Sequence, residues 1–207
     1  MKQDFDSGAY WEHRYRRGRD SGDGSYGRLA QFKADFLNHF VLSNGITSVI
    51  ELGCGDGAQL ELATYPQYIG VDISPTALEI CRSSFRDDYT KSFISYELLH
   101  EMPSQDLALS LDVIFHLVED SIFERYLRDL FGSSGKYVII YSSDREEDTP
   151  APHVRHHKFT PWIAKNMKGW KLSGTTKNPF REDAQHPEST SFADFFVYEK
   201  LKRAPDG

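Results

Sequence analysis

Cysteine is almost missing from this sequence: Cys54 and Cys81 are the only two in 207 residues. One sits in a glycine-rich loop and the other on a predicted helix. A structural disulfide is therefore not expected, and reduced thiols in a cytoplasmic protein are. Long apolar runs are missing too. No window approaches the ~20 residues that cross a bilayer. The start, MKQDFDSGAYWEHRY, has neither an apolar core nor a cleavage pattern, so no membrane association and no secretory leader are expected. Basic charge is in deficit, with 24 Lys and Arg against 31 Asp and Glu, a formal net charge of −7. That balance argues against nucleic acid as a partner, since tight binding to its backbone needs a basic face. Internal repeats and low-complexity segments are also lacking. The length suits one domain over residues 1–207 and is short for two.

What is present is a globular composition, 39% hydrophobic and 27% charged. Residues 1–45 read as a helical lid and loop. A short helix around Tyr10 to Arg16 precedes a glycine- and serine-rich loop. A second helix carries Leu29, Phe32, Phe36, Leu37 and Phe40 at helical spacing and stops at Asn44-Gly45. Strands and helices then alternate through residues 46–143. Strands are expected at SVIEL, YIGVDI, SFISYEL, LALSLDV and KYVIIYSS. Helices are expected just after Gly57, from Pro75 to Arg86 and from Asp120 to Phe131. Ser74-Pro75 is a good helix start, with a hydroxyl cap and then proline in the first turn. Strands such as YVIIY are apolar on both faces, as in a parallel sheet covered on both sides. In residues 144–207 an acidic, proline-broken segment, DREEDTPAP, reads as a lid. WKLSGTTKN and SFADFFVYEK follow as strands joined only by a loop. The expected class is α/β: a doubly wound, mostly parallel seven-stranded sheet, helices on both faces, and an antiparallel C-terminal edge.

The loop Glu51-Leu52-Gly53-Cys54-Gly55-Asp56-Gly57-Ala58 follows the first strand, where such folds place a nucleotide. The spacing Gly53-x-Gly55-x-x-Ala58 fits a dinucleotide pattern, so the glycines alone decide little. Glu51 decides more. A carboxylate there opposes a pyrophosphate and suits S-adenosylmethionine, whose sulfonium and ammonium are positive. Asp72, with Ile73 beside it, ends the second strand and can accept from both ribose hydroxyls. Glu97, after FISY, can accept from an adenine amino group. LALSLDVIFHLVED then runs off the fourth strand beside the methyl-donor end.

These motifs resemble those of class I S-adenosylmethionine-dependent methyltransferases. VIELGCGDG matches the first motif, GVDIS the ribose motif, FISYE the adenine-side motif and DLALSLDVIFHL the fourth, in order over residues 47–143. Glu97 departs from the pattern, where aspartate is commoner. The resemblance implies a Rossmann-like fold, S-adenosylmethionine as cofactor, and methyl transfer to a small-molecule substrate. It also implies that Trp11, Arg14 and Tyr15 close over the cofactor, with Arg14 on its carboxylate. A looser resemblance, over the whole chain, is to small bacterial methyltransferases found with surface-polysaccharide and natural-product pathways. It implies a nucleotide-linked or phosphorylated acceptor. Methyl transfer to an oxygen of a small polar acceptor is expected, with nitrogen as the less favoured atom.

The acceptor side offers Asp112 and His116. Asp112 either orients groups near the methionine end or caps the next turn. His116 is either a general base or a packed core histidine. HVRHHKF carries Arg155, His156 and Lys158 on a loop after the fifth strand, read either as a clamp for an anionic substrate or as a solvated loop. It lacks cysteine or carboxylate neighbours, and no metal is expected. Two rival functions stay open, a catalytically silent S-adenosylmethionine-binding regulator and an NAD-dependent oxidoreductase.

Overall fold

The computed structural model describes residues 5–202. Helix α1 (Ser7–Arg16) starts at Asp6, whose carboxylate accepts from the Ala9 N–H, and α2 (Gly27–Ser43) follows the glycine-rich loop. Five strands come next: β1 (Val49–Leu52), β2 (Tyr68–Asp72), β3 (Lys91–Ser95), β4 (Gln105–Leu111) and β5 (Ser134–Ser142). Between them lie α3 (Pro75–Ser84) and α4 (Asp120–Gly132). Ser74 caps α3 through its hydroxyl, which accepts from the Ala77 N–H at 3.1 Å. A two-residue ribbon, β6 (Glu147–Asp148) with β7 (Arg155–His156), leads to α5 (Phe159–Asn166), β8 (Trp170–Thr176) and β9 (Asp194–Lys200).

The seven-stranded sheet runs β3-β2-β1-β4-β5-β9-β8. The first five strands are mutually parallel, and β9 is antiparallel to both its neighbours. Successive strand residues feed opposite cores. Val49, Leu107, Leu109 and Ile139 face α2 and α3, while Ile50, Ala108, Val138 and Ile140 face α4 and α5. This is why the strands are apolar throughout. The chain reverses its winding between β1 and β4, which opens a crevice at their carboxyl ends.

Three local expectations are corrected. No α-helix follows Gly57; Gln59–Leu62 is a single 3-10 turn, because residues 58–67 must also pass Pro66 and reach β2. Strand β3 ends at Ser95, and Tyr96–Glu101 coils into a 3-10 turn capped by the Ser95 hydroxyl. The acidic segment read as a lid is paired as a ribbon, Glu147 with His156 and Asp148 with Arg155.

Candidate active site

The crevice holds a cavity of about 270 Å³ under α1 and the loop that follows it. Gly53 and Gly55 line it in left-handed conformation, φ +82° and +57°. A side chain on Gly53 would strike Val113, and one on Gly55 would strike Ser21 and the Tyr15 hydroxyl. The loop is therefore gripped between β4 and the roof. Asp72 fixes it from below: its carboxylate accepts from the Gly55 N–H and the Ser74 N–H, each at 2.9 Å. Burial raises the Asp72 pKa, and these backbone donors work against the rise.

Glu51 is the penultimate residue of β1 and is 5% exposed. Burial pushes its pKa up to about 7, opposed by the Tyr68 hydroxyl and by the charge of Lys33. Tyr68 donates to Glu51 Oε2 at 2.7 Å. Across from it, α2 delivers Lys33, which is 1% exposed and donates to Asp112 Oδ2 at 2.6 Å. Asp112 itself sits at φ +58°, a conformation few residues other than glycine adopt, immediately after β4. Gln59, on the 3-10 turn, donates to the Ala30 carbonyl, while its buried Oε1 has no partner among the described residues. Glu51, Lys33, Gln59 and Asp112 all line the cavity.

His116 and Trp11 also line it, ring centroids 4.8 Å apart and edge to face. His116 Nδ1 lies 2.8 Å from the His153 carbonyl. A carbonyl only accepts, so Nδ1 carries the proton and Nε2 keeps its lone pair. Burial pushes the His116 pKa down to about 4, against the rise from that hydrogen bond.

The roof is latched at three places. Ser7 bonds Glu119 and the His116 carbonyl; Glu12 accepts from Ser74 and Thr76; Ser21 bonds Asp56 on the glycine loop and the Tyr15 hydroxyl.

Of the residues expected from sequence, Glu51, Gly53, Gly55, Asp72, Ile73, Trp11, Asp112 and His116 line the cavity. The others lie outside it. The Arg14 guanidinium bonds the Asp20 backbone and carboxylate and stands 5.7 Å from the Trp11 ring. Glu97 is exposed on its 3-10 turn, and Tyr96 takes the lining position beside it. Arg155 is held by Asp120, Glu146 and Asp148. His156 is buried between Ser143 and Arg145, and Lys158 is exposed. This segment supports His116 from behind: it supplies the His153 carbonyl, and His157 Nε2 bonds the Leu117 carbonyl at 2.8 Å. Tyr15, expected beside Trp11, lines the cavity too, while Lys33, Gln59 and Ser21 are lining residues that the sequence motifs did not single out.

A family model described as a methyltransferase domain matches residues 49–133, the segment that carries β1 to α4. The matched segment, with the glycine loop and the carboxylates of β1 and β2, is similar to a methyltransferase domain. A tRNA (carboxymethyluridine(34)-5-O)-methyltransferase of Arabidopsis thaliana is 25% identical over 134 residues, 63% of this chain and 31% of that protein. The chain thus spans about a third of that relative's length. Its fold is shared with two solved structures. The N-methyltransferase NodS from Bradyrhizobium japonicum WM9, in complex with S-adenosyl-L-homocysteine, has a TM-score of 0.71 at 14% identity, covering 95% of this chain and 100% of that one. Magnesium protoporphyrin IX methyltransferase (ChlM) from Synechocystis PCC 6803, with bound SAM, has a TM-score of 0.67 at 17% identity, covering 97% and 100%.

Proposed function

We propose that this protein is a class I S-adenosylmethionine-dependent methyltransferase, which binds its cofactor in the cavity and directs the methyl group onto a small polar acceptor held against Asp112 and His116. The observation that carries the reading is the pairing of opposite charges with unsatisfied polar atoms at one end of the cavity. Glu51 and the orphaned Gln59 Oε1 offer acceptors to an ammonium, and Lys33 has N–H donors left for a carboxylate. An amino-acid head group fits this arrangement. Asp72 retains lone pairs for ribose hydroxyls, and Ile73 and Tyr96 offer an apolar wall to adenine. Lys33 rather than Arg14 is assigned to the carboxylate, because Lys33 lines the cavity and Arg14 is engaged by Asp20. The bound cofactor supplies an electrophilic methyl carbon with a good leaving group. The protein's part is to exclude water under the roof, to align the acceptor, and to present an uncharged His116 Nε2 to the acceptor's proton.

NAD suits the site poorly. The glycine loop leads into a 3-10 turn and not into the α-helix whose N-terminus would hold a pyrophosphate, and Glu51 and Asp72 would repel one. The basic loop that favoured an anionic or phosphorylated acceptor does not line the cavity, and Arg155 is neutralised by carboxylates. O-methylation and a polysaccharide intermediate therefore have no residue in the cavity arguing for them. Acidic net charge does not carry an exclusion of nucleic acid either, since the Arabidopsis relative is named for a tRNA position. Calorimetry with S-adenosylhomocysteine and with NAD tests the cofactor reading: the former should bind and the latter should not. NAD binding alone would select an oxidoreductase.

A further inference from the structure

The methyl-facing end of the cavity has hydrogen-bond acceptors to spare. Asp112 Oδ2 takes Lys33, and Oδ1 has no partner among the described residues. His116 Nδ1 is fixed as a donor to the His153 carbonyl, and Nε2 likewise has none. Matching donors are scarce there. With Lys33 assigned to the cofactor carboxylate, the Ser7 hydroxyl is engaged by Glu119 and the His116 carbonyl, and the Ser25 hydroxyl serves either way. Trp11 supplies an aromatic surface against His116, and Arg14, behind Trp11, is paired with Asp20. The wider lining is acidic, with Asp6, Glu51, Asp72 and Asp112 against Lys33 and Arg125.

We propose that the methyl acceptor is a primary amine, recognised by Asp112 Oδ1, His116 Nε2 and the face of Trp11. The inference rests on the cofactor reading above. A primary amine has hydrogens for both acceptor atoms and still keeps a lone pair for the methyl carbon. A hydroxyl has one hydrogen and leaves one acceptor unmet. A carboxylate has none, and it would face the Asp112 carboxylate. A cationic amine is also drawn by the acidic lining and by the indole ring. It sheds one proton to solvent before its lone pair can attack. The C–N bond then forms as the C–S bond breaks, the C–S electron pair stays on sulfur, and the N-methylammonium product is released or loses its proton to solvent.

The test needs no knowledge of the natural acceptor. Analogues of S-adenosylmethionine with nitrogen in place of sulfur are made with a three-carbon arm in place of the methyl, ending in an amine, an alcohol or a carboxylate. Their affinities are compared by calorimetry with that of S-adenosylhomocysteine. If S-adenosylhomocysteine itself fails to bind, the cofactor reading fails. If it binds, the proposal expects the amine arm to bind at least about tenfold more tightly than the carboxylate arm, with the alcohol between them. It also expects that preference to shrink in Asp112→Asn and in His116→Phe. Equal affinities, or a carboxylate arm that binds best, would overturn the amine assignment while leaving the cofactor site standing.

Discussion

Replacing Glu51 with glutamine should make the free protein more stable at alkaline pH and leave it nearly unchanged in acid. Glu51 is 5% exposed, and its carboxyl is pushed up to about 7 from a starting value of 4.5, chiefly by burial. For an acid whose folded pKa is raised, the native state is favoured fully below the unfolded value. That advantage is lost as pH rises through the folded value. A rise from 4.5 to about 7 corresponds to about 3 kcal/mol lost between roughly pH 4.5 and pH 7.5, at about 1.4 kcal/mol per unit. Glutamine keeps a carbonyl oxygen for the Tyr68 hydroxyl and never ionises. Urea unfolding of both proteins at pH 5 and pH 8 reads the effect directly. The stability difference should be small at pH 5 and favour Glu51→Gln by about 3 kcal/mol at pH 8. A difference that does not change with pH would refute the burial argument. The same variant should bind S-adenosylhomocysteine more weakly, because the cofactor ammonium loses its carboxylate; stability gained at a binding site then comes with function lost.

Two further expectations concern the acceptor side. Once an acceptor is in hand, kcat should show no inflection from His116 near pH 6.5, because burial holds it neutral down to about 4. A histidine-type inflection that disappears in His116→Gln would contradict that environment. Replacing Arg155 and Lys158 together with alanine should leave S-adenosylhomocysteine affinity and acceptor KM unchanged, since neither residue lines the cavity. A raised KM with an unchanged melting temperature would restore the anion clamp.

The sheet and the cofactor loop were legible because their signals are local. Apolar runs, the glycine spacing and single carboxylates at strand ends each lie within a few residues. The misplaced residues depend on distant partners. Arg155 reads as a free cation in HVRHHKF until the ribbon brings Glu146 and Asp148 to it and α4 brings Asp120. Arg14 reads as a cofactor ligand until the loop turns Asp20 back onto it. Glu97 was read as a strand end, and the coiling of Tyr96–Glu101 carries it outward. Lys33 could have been found. It stands between Leu29 and Leu37 at successive helical spacings, and all three are almost fully buried. A lysine on that stripe must have a partner, and only the fold shows that the partner is Asp112.

The measurement that bears most directly on the site is the affinity of Lys33→Met for S-adenosylhomocysteine and for its decarboxylated analogue, with the melting temperature recorded on the same preparations. If Lys33 faces the cofactor carboxylate, the substitution should weaken S-adenosylhomocysteine binding by about 10- to 100-fold, as expected for a lost charge-assisted hydrogen bond. Binding of the decarboxylated analogue should scarcely change. Equal losses for the two ligands, or full affinity for S-adenosylhomocysteine in a folded Lys33→Met protein, would contradict the placement of the cofactor head between Glu51 and Lys33.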